Sequence, residues 1–146
     1  EWLSPASKVT PRDADAVEGA DTSHLFDSPT KDYAEKVYYH EPVADSDGMT
    51  LAAIVNRNLG LGVAVRYRLE QLPRLIQWKM MGQGEYVVGI EPANCLVEGR
   101  HKDRETGILK FLEPGETSSY DVTIDVIAGG EAIAAVEEEV AAIAGE

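Results

Sequence analysis

The chain has 146 residues, 44% of them hydrophobic, enough for one domain with a core of its own. Its net charge of −13, from 26 acidic against 13 basic residues, argues against nucleic acid or another polyanion as a partner. No apolar run approaches the ~18 residues of a membrane span, and Glu1-Trp2-Leu3 lacks the basic start and apolar stretch of a signal peptide. A soluble protein is expected, and a lone cysteine, Cys95, which cannot close an internal disulfide, favours a reducing, cytoplasmic setting.

Residues 1–34 are rich in Pro, Asp, Ser and Ala and are expected to be irregular. Glu35 to Val43 alternates as a strand, ended by Pro42, and Asp45-Ser46-Asp47-Gly48 forms a turn. Met49 to Asn56 and Gly62 to Glu70 are the next strands, joined by a turn at Asn58-Leu59-Gly60. These three read as an antiparallel meander, apolar inside and charged outside. Leu75 to Met80 is extended and meets a Gly-x-Gly turn at Gly82–Gly84. The strand that follows, Glu85 to Glu91, sends Tyr86, Val88 and Ile90 to one face and Val87, Gly89 and Glu91 to the other. Pro92 removes a ladder donor, so pairing is expected to stop there.

Asn94 to Thr106 reads as a polar loop and Ile108 to Leu112 as a short strand. Glu113-Pro114-Gly115-Glu116 fits a type II turn. Ser119 to Ile127 is the last strand, with Tyr120, Val122, Ile124 and Val126 expected on its buried face. After Gly129-Gly130 the period becomes helical: Ile133, Val136, Val140 and Ile143 share one stripe, and Gly145 suits the helix end. Short strands at close spacing with one terminal helix indicate an all-β antiparallel sandwich over residues 1–130, with a C-terminal helix, residues 131–146, packed on the same domain.

The chemistry is narrowed by spacing. His24, His40 and His101 are far apart and show no metal-ligand pattern, so neither a metal nor a cofactor is expected. Gly60-Leu61-Gly62 and Gly82-Gln83-Gly84 lack the further glycines of a phosphate loop and read as hairpin turns. There is no nucleophile elbow. General acid/base chemistry remains, and Glu91, a carboxylate ending an otherwise apolar strand, is its best candidate. Trp78 offers a flat apolar face to a sugar ring, and Asn94, Lys79 and Arg66 have donors for hydroxyls. The alternative placements are ordinary ones: Trp78 in the core, Lys79 and Arg66 on the surface, Asn94 capping a turn.

The run from Leu72 to Cys95, L-P-R-L-I-Q-W-K-M-M-G-Q-G-E-Y-V-V-G-I-E-P-A-N-C, resembles a bacterial family of aldose 1-epimerase-like proteins with the galactose mutarotase fold. Phe111 to Val126 and Tyr33 to Glu41 resemble the same family, and the likeness extends over roughly residues 1–130. The resemblance implies a sugar-binding isomerase. Glu91, in I-E-P-A-N, would be the general base that takes the anomeric hydroxyl proton, with Trp78, Lys79, Asn94 and His40 contacting the sugar. The family's acid histidine belongs to a motif expected upstream of Glu1, and His24, in S-H-L-F-D, does not match it. Members run to about twice this length, so this chain resembles their C-terminal half. The resemblance therefore implies missing upstream residues or another chain that completes the sandwich. A sugar-binding sandwich without catalysis, or a structural subunit completing a partner, are the alternatives.

Overall fold

In the computed structural model, which describes residues 1–145, strand pairing divides the chain between two four-stranded antiparallel sheets. One sheet has the order β1 (Trp2–Leu3), β4 (Met49–Asn56), β5 (Leu61–Arg68), β8 (Val122–Ala128). The other has β2 (Ala6–Pro11), β3 (Lys36–Pro42), β6 (Arg74–Gly82), β7 (Glu85–Ala93). Three α-helices, α1 (Ala14–Glu18), α2 (Arg100–Glu105) and α3 (Gly130–Ala144), and a 3-10 turn at Ala20–Thr22 accompany the strands.

The result is three layers. α3 lays its Ile133 and Val136 against Leu51, Ala53, Val55, Ala64 and Ile127 of the first sheet, with Val140 and Ile143 at the rim. This is the stripe expected from the helical period, and Gly145 closes the helix in the left-handed region, its N–H donating to the Ala141 carbonyl. The opposite face of the first sheet packs on the second through Trp2, Ala52 and Leu75 in one cluster and Val65, Tyr67 and Leu72 in another. β4 is thus covered on both sides, which is why four consecutive residues, Thr50 to Ala53, are buried.

Four expectations are corrected. Residues 1–34 are not irregular throughout: β1 and β2 are strands there, and β2 alternates too weakly to be read because it is an exposed edge strand. The three-strand meander does not form. β3 pairs with β2 and β6, whereas β4 and β5 pair with each other in the opposite sheet, so the Asp45–Gly48 turn carries the chain from one sheet to the other. Pro92 does not stop pairing; it stands opposite Leu75, tolerated because β7 is an edge strand where a missing N–H needs no neighbour. Ile108 to Leu112 forms no strand, and the polar loop before it contains α2.

The largest correction concerns β8. Val122, Ile124 and Val126 are exposed, while Ile127 on the other face is buried under α3. In register they stand opposite Tyr67, Val65 and Val63, on the face that looks toward the second sheet. The second sheet, however, ends at β7, whose Ile90 already packs against Val65 and Tyr67. β8 therefore overhangs, and within the described residues its apolar stripe has no cover.

Candidate active site

The β6 strand decides which side chains can meet. Its odd positions, Leu75, Gln77, Lys79 and Met81, are buried and point between the sheets; Trp78 and Met80 point outward half-buried, as does Ile76, which is buried on that side too. Directly paired residues share a face, so Trp78 lies between Val37 of β3 and Gly89 of β7, and Ile76 lies between Tyr39 and Glu91. Trp78 and Glu91 thus occupy one sheet face, two residues apart along neighbouring strands; both are half-buried there, whereas Val37 and Ile76 beside them are buried.

They line a single cleft of about 190 Å³ with Arg12, Glu35, Val37, Ile76 and Val97. The Trp78 indole N–H donates to the Glu35 carboxylate at 2.8 Å, which fixes the ring edge. Arg12 follows β2 and is held by Asp13, Nε to Oδ2 at 2.8 Å, with Glu35 3.6 Å away. Asp13 is itself fixed as the N-cap of α1, its Oδ1 accepting from the Ala16 N–H, and that bond together with Arg12 lowers its carboxyl pKa. Beyond the cleft Tyr39 donates to Glu98 at 2.5 Å, and burial with this acceptor pushes the Tyr39 phenol up. Three larger depressions lie elsewhere, one around Phe26, Ile54 and Val88, another around Asn94, Cys95 and Tyr120, and a third, of about 220 Å³, around Thr10, His40 and Arg74; none of the three includes Glu91.

The remaining predicted residues stand apart. Lys79, only 3% exposed, points inward; its ammonium donates to the Thr22 carbonyl at 3.0 Å, near the Phe26 ring, and burial lowers its pKa. His40, 6% exposed, also points inward, stacked on Trp2 with ring centroids 5.1 Å apart. The Gln77 amide donates to the Ser23 carbonyl at 2.9 Å, which turns its oxygen toward His40 Nε2 at 3.1 Å. His40 therefore carries its proton on Nε2, and burial depresses its pKa to about 4. Arg66 lies on the other sheet, joined to Glu139 by two hydrogen bonds and to Asp125. Asn94 donates to the Tyr120 hydroxyl at 2.8 Å in the larger depression.

Arg12 and Glu35 are the cleft residues that sequence reasoning missed. Arg12 belongs to the stretch read as irregular, and its place depends on the β2–β3 pairing: its N–H donates to the Val37 carbonyl at 2.9 Å. Glu35 falls inside the Tyr33 to Glu41 segment, one residue before β3, where alternation is no guide.

The two packed antiparallel sheets, together with a TM-score of 0.95 to a solved epimerase-named structure, make this a galactose mutarotase-like fold. The match to known proteins is more particular. The chain belongs to the family described as "Domain of unknown function (DUF4432)", which matches residues 1–126. A search of curated proteins finds no match. The chain is similar to a crystal structure from Klebsiella pneumoniae subsp. pneumoniae named as a "putative aldose 1-epimerase", with TM-score 0.95 and 33% identity over 99% of this chain. The chain spans 38% of that protein's length.

Proposed function

We propose that the protein is a sugar isomerase of the aldose 1-epimerase type, with Glu91 as general base at the cleft. A pyranose would lie with an apolar face on Trp78. The Glu91 carboxylate would take the proton of the anomeric hydroxyl while an acid protonates the ring oxygen. The C–O bond to the ring oxygen then breaks to give the open-chain aldehyde, and reclosure on the other face returns both protons. The observation that carries this reading is the placement of Glu91 and Trp78, both partly exposed, in one cleft on the outer face of the second sheet. The likeness at 33% identity to an epimerase-named protein supports it.

The acid would come from outside the described residues. His40 is buried on the opposite face, and neither His24 nor His101 lines the cleft. This also gives the second reading its support: a sugar-binding sandwich without catalysis. The same observations favour a completing half, supplied by further chain or by another subunit, that would add strands beyond β7 and β8 and cover the stripe of Val122, Ile124 and Val126. The fraction of the Klebsiella protein left unmatched provides room for it, with this chain as the C-terminal part.

Polarimetry of the complete protein tests the reading. Glu91→Gln removes the base and keeps the shape, so anomer interconversion is expected to fall by two to four orders of magnitude, the usual range of acid/base catalysis. Full activity after that change sinks the assignment. Binding of a sugar with no acceleration by the unmodified protein establishes the second reading instead.

A further inference from the structure

We propose that Gly89 is a positioning residue for Glu91, its missing side chain leaving the space in which the Glu91 carboxylate lies beside Trp78; the inference rests on the reading of Glu91 as base. Residues two apart on a strand share a face, so Gly89 and Glu91 both look out of the second sheet. A Cβ built on Gly89 would stand 2.5 Å from Glu91 Oε1, 3.2 Å from its Cδ and 3.3 Å from its Cγ. Those three nearest atoms all belong to one side chain, which has folded back along the strand over the glycine. Gly89 is also the residue paired directly with Trp78. The bare backbone therefore sets the carboxylate against the tryptophan rather than out along the edge.

No other demand explains a glycine there. Gly89 sits in the middle of β7, outside the left-handed region that favours glycine, and an interior glycine otherwise weakens a strand. Two other glycines show different reasons. Gly84 holds a positive φ in the hairpin turn. Gly62, also in mid-strand, is pressed at 2.7 Å by the Ile54 carbonyl, a backbone contact that cannot move aside. At Gly89 the obstacle is the far end of a flexible side chain. Adding a methyl group thus displaces the carboxylate and leaves the strand in place.

Gly89→Ala, compared with Glu91→Gln and with Val87→Ala as a control on the same face, tests this in the complete protein. The melting temperature of Gly89→Ala is expected to be equal or higher, since alanine is at ease in an extended strand. Its crystal structure should show the Glu91 carboxylate moved off residue 89. Its kcat for anomer interconversion should fall on the order of tenfold to a hundredfold, the cost of misplacing a reacting group by about 1 Å, with KM little changed. Val87→Ala should leave both constants as they are. A carboxylate that stays in place, or one that moves with kcat intact while Glu91→Gln is inactive, overturns the role of Gly89 alone. Undiminished activity in Glu91→Gln overturns the base, and the positioning role with it.

Discussion

Lowering the pH should destabilise the protein through His40 in a window that can be worked out from its surroundings. The ring is enclosed by Trp2 and Gln77, with no carboxylate bonded to it, and its pKa falls from 6.5 to about 4 because burial penalises the charged form. The folded pKa lies below the unfolded one, so the unfolded chain binds the extra proton first. Stability from this group is complete above about pH 6.5, declines as pH falls toward 4, and changes no further below it. A shift from 6.5 to about 4, at roughly 1.4 kcal/mol for each pH unit, gives about 3 kcal/mol. The assay is urea unfolding at a series of pH values between 4 and 7.5, on the unmodified protein and on His40→Gln. Glutamine keeps a donor for Gln77 and cannot titrate, so the variant should lose little stability across the window that costs the unmodified protein about 3 kcal/mol. Parallel loss in both proteins would refute the argument, as would a His40 pKa near 6.5 measured by NMR. The same burial bears on function, because a histidine with this pKa holds no proton on Nδ1 at neutral pH and faces away from the cleft.

Two other outcomes follow from the layers. Trp78→Ala should weaken sugar binding by about fivefold, the loss of one aromatic platform worth roughly 1 kcal/mol, read by titration calorimetry; unchanged affinity would remove Trp78 from the site. Ile124→Ser with Val126→Ser should reduce association of this chain with copies of itself or with a completing half, followed by sedimentation velocity. Because these side chains are 70% and 82% exposed, the change should alter the chain's own stability by only about 0.5 kcal/mol. A large drop in melting temperature with unchanged association would show the stripe to be core.

What the sequence made legible was local. The Gly82–Gly84 turn, the Pro114-Gly115 turn with its Glu116 N–H to Glu113 carbonyl bond, and the α3 stripe all arise from residues within a few positions of one another. Sheet membership does not. The strand at residues 36–42 carries an alternation compatible with either sheet, and only its pairing with β2 and β6 shows where it belongs. The cover over β8 is hidden from the sequence for a related reason. Alternation shows that Val122, Ile124 and Val126 share a face, but whether that face is covered depends on how far the opposite sheet extends.

The site could have been narrowed further by strand geometry alone. Trp78 and Lys79 are consecutive in β6, as Tyr39 and His40 are in β3, and consecutive strand residues point to opposite faces. Trp78 and Lys79 therefore cannot both line one cleft unless a bulge intervenes, and the uninterrupted β6–β7 register from Arg74 to Gly82 contains none. The inward residues have another task. Lys79 donates to the Thr22 carbonyl, Gln77 to the Ser23 carbonyl, and the Trp2 N–H to the His24 carbonyl, so three successive backbone acceptors of a strandless segment are satisfied from β6 and β1. A methionine at 79 would leave the Thr22 carbonyl to the Leu25 N–H at 3.0 Å, losing one hydrogen bond worth about 1 kcal/mol, and would leave the Trp78–Glu91 face unchanged. The polar character of β6 thus has two separate causes on its two faces: inward it holds the segment from Thr22 to His24, and outward it carries the tryptophan against which Gly89 lets Glu91 lie.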